Sequence, residues 1–245
     1  MERERRYSAQ SRLKEIGVEG QRRLKEKTVL IVGCGALGSV AAMYLAGAGV
    51  GHLIIADFDT VDISNLHRQV FFSEDDTSKS KVDIIKDRIF KLNPDVEVRI
   101  IKQLVTGKIL ENLEKDVDAI VDAADNPDTT FMIDRFCTDN GIPWTTAGVR
   151  GWEAQIFTFK PYSTSYSEII SQESLEGDIM PCSLEGILGP VAGMAAAIQC
   201  SEVIKLLLDI GNSLADSLLT INLKDNSFLR LELWDENNAG DNDRH

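Results

Sequence analysis

Apolar and polar positions along this chain follow two periods, and the period changes where glycine or proline intervenes. Thr28 to Val32 is a β-branched run closed by Gly33, the pattern of a buried parallel strand. Ala36 to Ala48 follows as a helix of small residues able to lie close on a sheet, and His52 to Ala56 reads as a second strand. Val82, Ile85, Ile89 and Leu92 recur at helical spacing, which predicts a helix over Lys79 to Leu92 that stops before Pro94. Val96 to Ile101 and Ala119 to Val121 are further strands, and Pro127 to Asn140 is a helix set between Asp125 and Gly141. The polar stretch Ser8 to Lys25 reads as a helix ahead of the first strand. Strands alternating with helices to about residue 147 predict a doubly wound parallel sheet.

After Gly148 the texture changes. Glu153 to Lys160 reads as a strand of a different, antiparallel set, and 161–182 is a Ser-rich stretch expected to be a mobile loop. Apolar residues at 188, 191, 195 and 198 predict a helix over Leu188 to Leu208 buried on one side. Leu218 to Asn222 and Phe228 to Leu233 can pair as a hairpin around Asp225 and Asn226, and the residues beyond 235 are polar and expected to fray. No internal repeat is visible. The expected fold class is α/β, a Rossmann-like, doubly wound and mainly parallel sheet extended by C-terminal antiparallel strands. The expected organisation is a helical arm over 1–27, a nucleotide-binding half over 28–147, a C-terminal half over 148–235 with its loop at 161–181, and a tail at 236–245. Residues 27–235 are expected to form one compact domain.

Composition narrows the class. A chain of 245 residues with 43% apolar and 27% charged residues is ordinary for a globular protein. Val29 to Gly51 would pass a hydropathy test for a membrane span, but its six glycines and strand-like start argue for a buried strand, turn and helix. The N-terminus, M-E-R-E-R-R-Y, lacks the apolar core of a secretory signal. A net charge of −13 opposes nucleic-acid or anionic-membrane partners. Residues 1–27 nevertheless carry nine Lys/Arg against five acids, a solvated basic helix or a segment reaching toward phosphates. Cys34, Cys137, Cys182 and Cys200 show no C-x-x-C spacing, which points to a reducing cytoplasm rather than a disulfide framework. His52, His67 and His245 form no visible metal cluster.

The chemistry concentrates in two segments. G-C-G-A-L-G, Gly33 to Gly38, follows a strand and opens a helix, so backbone N–H groups at Gly33, Gly35 and Gly38 can approach phosphates at a helix N-terminus. Asp57 lies 19 residues beyond Gly38 at the end of the second strand, where a carboxylate can accept both ribose hydroxyls. Asn65, Arg68, Lys81 and Asp125 follow. Arg68 and Lys81 supply a forked and a point-like positive charge suited to a triphosphate. Asp125, in A-A-D-N at the carboxyl edge of the sheet, is a reasonable Mg²⁺ anchor. Each of these residues taken singly also reads as a surface charge; the set is what points to a nucleoside triphosphate.

These residues resemble the ThiF/MoeB/HesA-type adenylyltransferases, relatives of the ubiquitin-activating enzymes that activate small sulfur-carrier proteins. The matching text is R-Y-S-A-Q near Arg6, the glycine turn and D-F-D-x-V-x-x-S-N-L-x-R-Q from Asp57. It continues with K-V-D at Lys81, L-N-P at Leu92, A-D-N at Ala124, G-I-L-G-P at Gly186 to Pro190, and Glu202 to Lys205. The resemblance spans residues 6–233 and implies ATP and Mg²⁺ as cofactors. It places Asp57 on the ribose, Asp59 in the nucleotide site, Asn65, Arg68 and Lys81 on the phosphates, and Asp125 on the metal. It implies a homodimer that adenylates the C-terminal glycine of a ubiquitin-like carrier ending in Gly-Gly, in thiamine or molybdopterin sulfur transfer, with a sulfurtransferase as a further partner. It also places Cys182 near the carrier's tail as a thiol for a covalent intermediate, whereas the residue alone reads equally as an inert thiol. Cys34, Cys137 and Cys200 read as packing residues.

Two features depart from the family's pattern. The zinc-binding C-x-x-C pairs of many relatives would fall near Ser163 to Tyr166 and near the C-terminus, and neither contains cysteine, so no zinc is expected and the loop should be looser. Ala9 stands where relatives often carry an arginine that reaches the partner's ATP, leaving Arg12 or Arg6 as substitutes. Alternatives stay open beside carrier adenylation: a tRNA-base dehydratase of the same superfamily, a nicotinamide oxidoreductase, and a scaffold that binds nucleotide or carrier without turnover.

Overall fold

In the computed structural model, which describes residues 5–161, 163–171 and 186–233, the β-branched run Thr28–Val32 forms β1. His52–Ala56 forms β2, Glu97–Ile101 β3 and Ala119–Asp122 β4. Trp144–Arg150 is β5, Glu153–Phe159 β6, Ser217–Asn222 β7 and Ser227–Glu232 β8. They make one sheet in the order β3-β2-β1-β4-β5-β6-β7-β8, parallel from β3 to β5 and antiparallel from β5 to β8. The expected α/β class, mainly parallel with antiparallel C-terminal strands, is the observed one. Strand order reverses between β1 and β4, and in such sheets the crevice beyond the carboxyl ends at that point receives ligands.

The helices are α1 (Gly17–Lys25), α2 (Gly38–Ala48), α3 (Lys81–Leu92), α4 (Gly107–Glu111), α5 (Pro127–Asn140), α6 (Tyr166–Ile169) and α7 (Gly189–Leu208). The period of two along each strand divides its side chains between two cores. Val29, Ile31, Leu53 and Ile55 face one core with α2, α3 and α7; Leu30, Val32, Ile54 and Ala56 face the other with α4 and α5. A third cluster, including Ala154, Ile156, Val191, Ala195 and Ile221, lies where α7 crosses the antiparallel strands. Helix α7 is long and apolar enough to cross a membrane, but it packs on β4, β5, β6 and α2, which accounts for its composition. Val29 to Gly51 folds as the expected strand, turn and helix.

Four local features differ from the sequence reading. The N-terminal helix is broken: Gly17 takes a positive φ of 60°, so a short 3₁₀ turn at Gln10–Arg12 is separated from α1. Tyr7 and Gln10 of R-Y-S-A-Q fix this arm, since Asn93 Nδ2 donates to Tyr7 Oη (2.7 Å) and Gln10 Nε2 donates to the Ala48 carbonyl (2.9 Å). Two elements had no counterpart in the reading, the short helix α4 and the strand β5. β5 is the pivot of the fold, parallel to β4 over Trp144–Thr146 and antiparallel to β6 along its whole length. Finally, the first part of the expected loop at 161–181 is pinned. Asp134 accepts hydrogen bonds from the Tyr166 and Ser167 amides (2.9 and 3.1 Å), and the Tyr166 ring meets Trp144, Phe157 and Phe159. The remainder of that loop and the C-terminal tail lie outside the described residues.

Candidate active site

The glycine turn is shaped by contacts that no side chain would allow. Gly33 has φ +90°, and a Cβ there would lie 2.4 Å from the Ala123 carbonyl oxygen; a Cβ on Gly38 would lie 1.9 Å from the Gly33 oxygen. The turn is therefore wedged between its own backbone and the segment after β4, at the reversal of strand order. No side chain caps the N-terminus of α2; the Gly33 N–H, expected to face phosphate, instead donates to the Ala56 carbonyl (2.8 Å) and the Ser39 N–H to the Gly35 carbonyl (3.1 Å), which leaves the Gly35 and Gly38 N–H groups for an anion. Gly35 is less confined, with only Gln69 Nε2 within reach of a Cβ, at 3.5 Å.

Asp57 closes the turn from the side of β2. Its Oδ2 accepts from the Cys34 N–H at 2.6 Å and its Oδ1 from the Asp59 N–H at 2.7 Å. Each oxygen keeps a second lone pair, which suits the carboxylate to a ribose diol. Asp59 accepts from Lys81 Nζ at 2.9 Å, and the Lys81 side chain is only 6% exposed. The sequence placed both residues in the nucleotide site; the structure joins them as an ion pair at the start of α3. Asn65 and Arg68 sit on the next helical turn, where Arg68 Nη2 donates to Asn65 Oδ1 at 2.6 Å. Arg68 Nη1 also donates to His67 Nε2 (3.3 Å) while His67 Nδ1 faces the Ser64 carbonyl oxygen (3.0 Å). The N-terminus of α7 abuts this turn, because a Cβ on Gly189 would come 2.7 Å from the His67 oxygen.

Asp125 is exposed, two residues past the Ala123 that packs on Gly33. A single accessible carboxylate fits Mg²⁺, which keeps several waters and takes its other ligands from phosphates. Among the described residues no group of three or more His, Cys, Asp or Glu forms a metal cage. Cys182 lies outside the described residues. Cys34, Cys137 and Cys200 are buried free thiols. Burial raises all three pKa values, with the Asp57 charge adding at Cys34 and Cys200 pushed up to about 12, so they are inert packing groups. Of the two substitutes for the arginine missing at Ala9, Arg6 is engaged on the Leu92 carbonyl at 2.5 Å, and Arg12 is exposed.

Sequence reasoning missed a buried network beneath Asp125. Asp122 is 1% exposed; its Oδ2 accepts from Thr130 Oγ1 (2.7 Å) and Thr146 Oγ1 (2.9 Å), and its Oδ1 from the Ala124 N–H (3.1 Å). Gln199 Nε2 of α7 donates to the Asp122 carbonyl oxygen at 3.0 Å. Burial raises the Asp122 pKa against the lowering effect of these three donors. The available signal was its place in D-A-A-D-N, at the last position of a wholly buried strand. A cavity of about 610 Å³ lies at the other end of the sheet, among His52, Glu97, Arg99 and Asp118. Several of its charges are already paired (Lys27 with Asp118, His52 with Glu97), and none of the residues above lines it.

A Rossmann-like sheet with a glycine turn and a cluster of Asp, Asn, Arg and Lys beyond its carboxyl edge defines a nucleotide-binding α/β protein. Comparison with known proteins gives the family. Residues 7–242 match the ThiF family, and the chain belongs to it. It is 36% identical over 232 residues to a probable molybdopterin-synthase adenylyltransferase of Gracilaria tenuistipitata var. liui, covering 95% of this chain and 65% of that protein. It is 36% identical over 206 residues to the sulfur carrier protein ThiS adenylyltransferase of Escherichia coli (strain K12), covering 84% and 82%. The crystal structure of E. coli MccB with AMPCPP and selenomethionine-containing MccA superposes with a TM-score of 0.80 at 26% identity, covering 93% of this chain and 71% of that one. The chain thus spans about two thirds of the length of the Gracilaria relative. Membership of an adenylyltransferase family implies the use of ATP.

Proposed function

We propose that this protein adenylates the C-terminal glycine carboxylate of a small ubiquitin-like sulfur-carrier protein ending in Gly-Gly, using ATP and Mg²⁺ and releasing pyrophosphate. The observation that carries the reading is the gathering of Asp57, Lys81 and the glycine turn, with Asn65 and Arg68 on the adjoining turn. The relatives named for sulfur-carrier and molybdopterin-synthase adenylylation support the choice of substrate.

In this reading Asp57 holds the ribose and the N–H groups of the turn hold phosphate. Arg68 and Lys81 neutralise charge that develops as pyrophosphate leaves, each pre-oriented by a partner, Asn65 and Asp59. A carboxylate is ionised at neutral pH, so its attack on the α-phosphorus requires no general base. Positioning and charge neutralisation supply the acceleration. Asp125 would hold the metal, which when bound would supply positive charge to the phosphates. Cys182 is assigned to later steps at the carrier's tail, and Cys182→Ser should leave adenylation intact. A homodimer, a sulfurtransferase partner and a cytoplasmic location complete the proposal, with the unpaired buried thiols in support of a reducing compartment.

The test is direct. Incubation with ATP, Mg²⁺ and a Gly-Gly carrier should add the mass of AMP less water to the carrier. A carrier of unchanged mass, across thiamine-type and molybdopterin-type carriers, would defeat the reading.

A further inference from the structure

Every residue of the S-N-L-H-R-Q segment that carries a polar side chain has a partner except its last. Asp62 binds Ser64, Arg68 binds Asn65, and His67 bridges Ser64 and Arg68. Gln69 is 4% exposed, yet its Oε1 is buried without a hydrogen-bond partner. The other end of its amide, Nε2, donates to no described residue. It stands against the glycine turn, 3.5 Å from where a Cβ on Gly35 would be. The backbone fixes it there: the Gln69 N–H donates to the Asn65 carbonyl at 2.9 Å and the Phe72 N–H donates to the Gln69 carbonyl at 3.0 Å.

A buried primary amide whose oxygen has no hydrogen-bond partner destabilises the fold, and an apolar side chain of the same length would pack there without that cost. Among the described residues the other buried polar side chains with an orphaned atom are Asn93, Thr158 and Gln199, and of these Asn93 and Gln199 donate through their amide nitrogens to neighbouring carbonyls. In Gln69 the donor end is unused as well as the oxygen. It faces a turn whose N–H groups are arranged to receive an anion, alongside the guanidinium of the preceding residue.

We propose that Gln69 is a nucleotide-binding residue whose Nε2–H donates to a phosphate oxygen seated on the glycine turn, at a cost to the stability of the free protein. The ligand class is a nucleoside triphosphate, and in that respect the inference rests on the reading of the site given above. It separates Gln69 from a packing role, because packing and binding then move in opposite directions on substitution. Gln69→Met removes the donor and the orphaned carbonyl together while keeping the volume close.

The experiment measures the Kd for ATP by calorimetry and the thermal midpoint without nucleotide, for the full chain and for Gln69→Met. A charge-assisted hydrogen bond of ordinary strength predicts an ATP Kd raised about tenfold or more. The thermal midpoint should be equal or higher. An ATP Kd within about twofold of the unsubstituted protein, or a fall in midpoint that parallels the loss of affinity, would overturn the inference. Gln69→Glu is the second variant: it keeps the shape and sets an acceptor against the phosphate, so affinity should fall further, and a folded Gln69→Glu protein with unchanged affinity would likewise overturn it. If the unsubstituted chain binds no ATP, it is the reading of the site that fails, and that result is distinct from the others.

Discussion

Lys81 Nζ lies 2.9 Å from Asp59 Oδ2 with the lysine side chain almost wholly buried and the aspartate half exposed. The pair holds the ammonium at the head of α3, beside the segment that carries Asp57, and the Lys81 N–H also donates to the Asp59 carbonyl oxygen at 3.1 Å. Asp59→Ala leaves a buried cation without its counter-charge. It should cost about 2 kcal/mol of stability, below the loss typical of a fully buried pair because Asp59 is open to water. Denaturant unfolding checks it, and a change under about 0.5 kcal/mol would show that the pair is not what holds Lys81.

Asp122 gives a pH signature. Its pKa is raised by burial above the ordinary carboxylate value, so its contribution to stability is fully present below that value and is lost as pH rises toward the folded-state pKa. The stability of the protein minus that of Asp122→Asn should therefore shrink as pH rises from about 4, the unfolded value, because the asparagine does not titrate. Thermal midpoints of both proteins across the acid range read this out. A difference that grows with pH would mean that the Thr130, Thr146 and Ala124 donors outweigh desolvation.

The glycine turn predicts a contrast between two substitutions to alanine. Gly33→Ala combines positive φ with a 2.4 Å contact to a backbone oxygen and should cost about 3 kcal/mol or more, with loss of ATP binding. Gly107→Ala meets open space and should stay within about 0.5 kcal/mol of the parent. Equal effects at the two positions, measured by denaturant unfolding, would contradict the geometry.

Asp134 does the work of a staple at the start of the segment 163–171. Removing it in Asp134→Ala strips the Tyr166 and Ser167 amides of their acceptor, a loss of about 1–2 kcal/mol typical of a helix cap. Protease cleavage in this segment should increase. Because no metal is expected to hold it, treatment with a zinc chelator should leave the thermal midpoint of the parent unchanged; a clear drop would reveal a metal.

β1, β2 and β4 were legible because they are buried on both faces and therefore read as continuous apolar runs, and the half-exposed edge strand β3 was legible from its alternation of apolar and charged residues. β5 escaped because its run is short: Trp144 to Ala147 contains two threonines and ends at Gly148, and its strand character comes from pairing with β4 and β6. The helical arm was read as continuous because its charge pattern hid the positive φ at Gly17. In the site, Asp57, Asp59, Asn65, Arg68, Lys81 and Asp125 were picked out by motif and spacing. Their pairings were not, since the Lys81–Asp59 contact spans 22 residues and the Thr146–Asp122 contact 24. Gln69 and Asp122 look like ordinary polar residues until the fold buries them.

Carrier-dependent exchange of pyrophosphate into ATP, in the presence of Mg²⁺, tests the central claim most directly. The account predicts exchange that requires a carrier ending in Gly-Gly and that falls by at least about 100-fold in Arg68→Ala and Asp125→Ala, the scale expected when a charge-stabilising group is lost. Tight ATP binding with no exchange for any such carrier, or exchange indifferent to both substitutions, would contradict it.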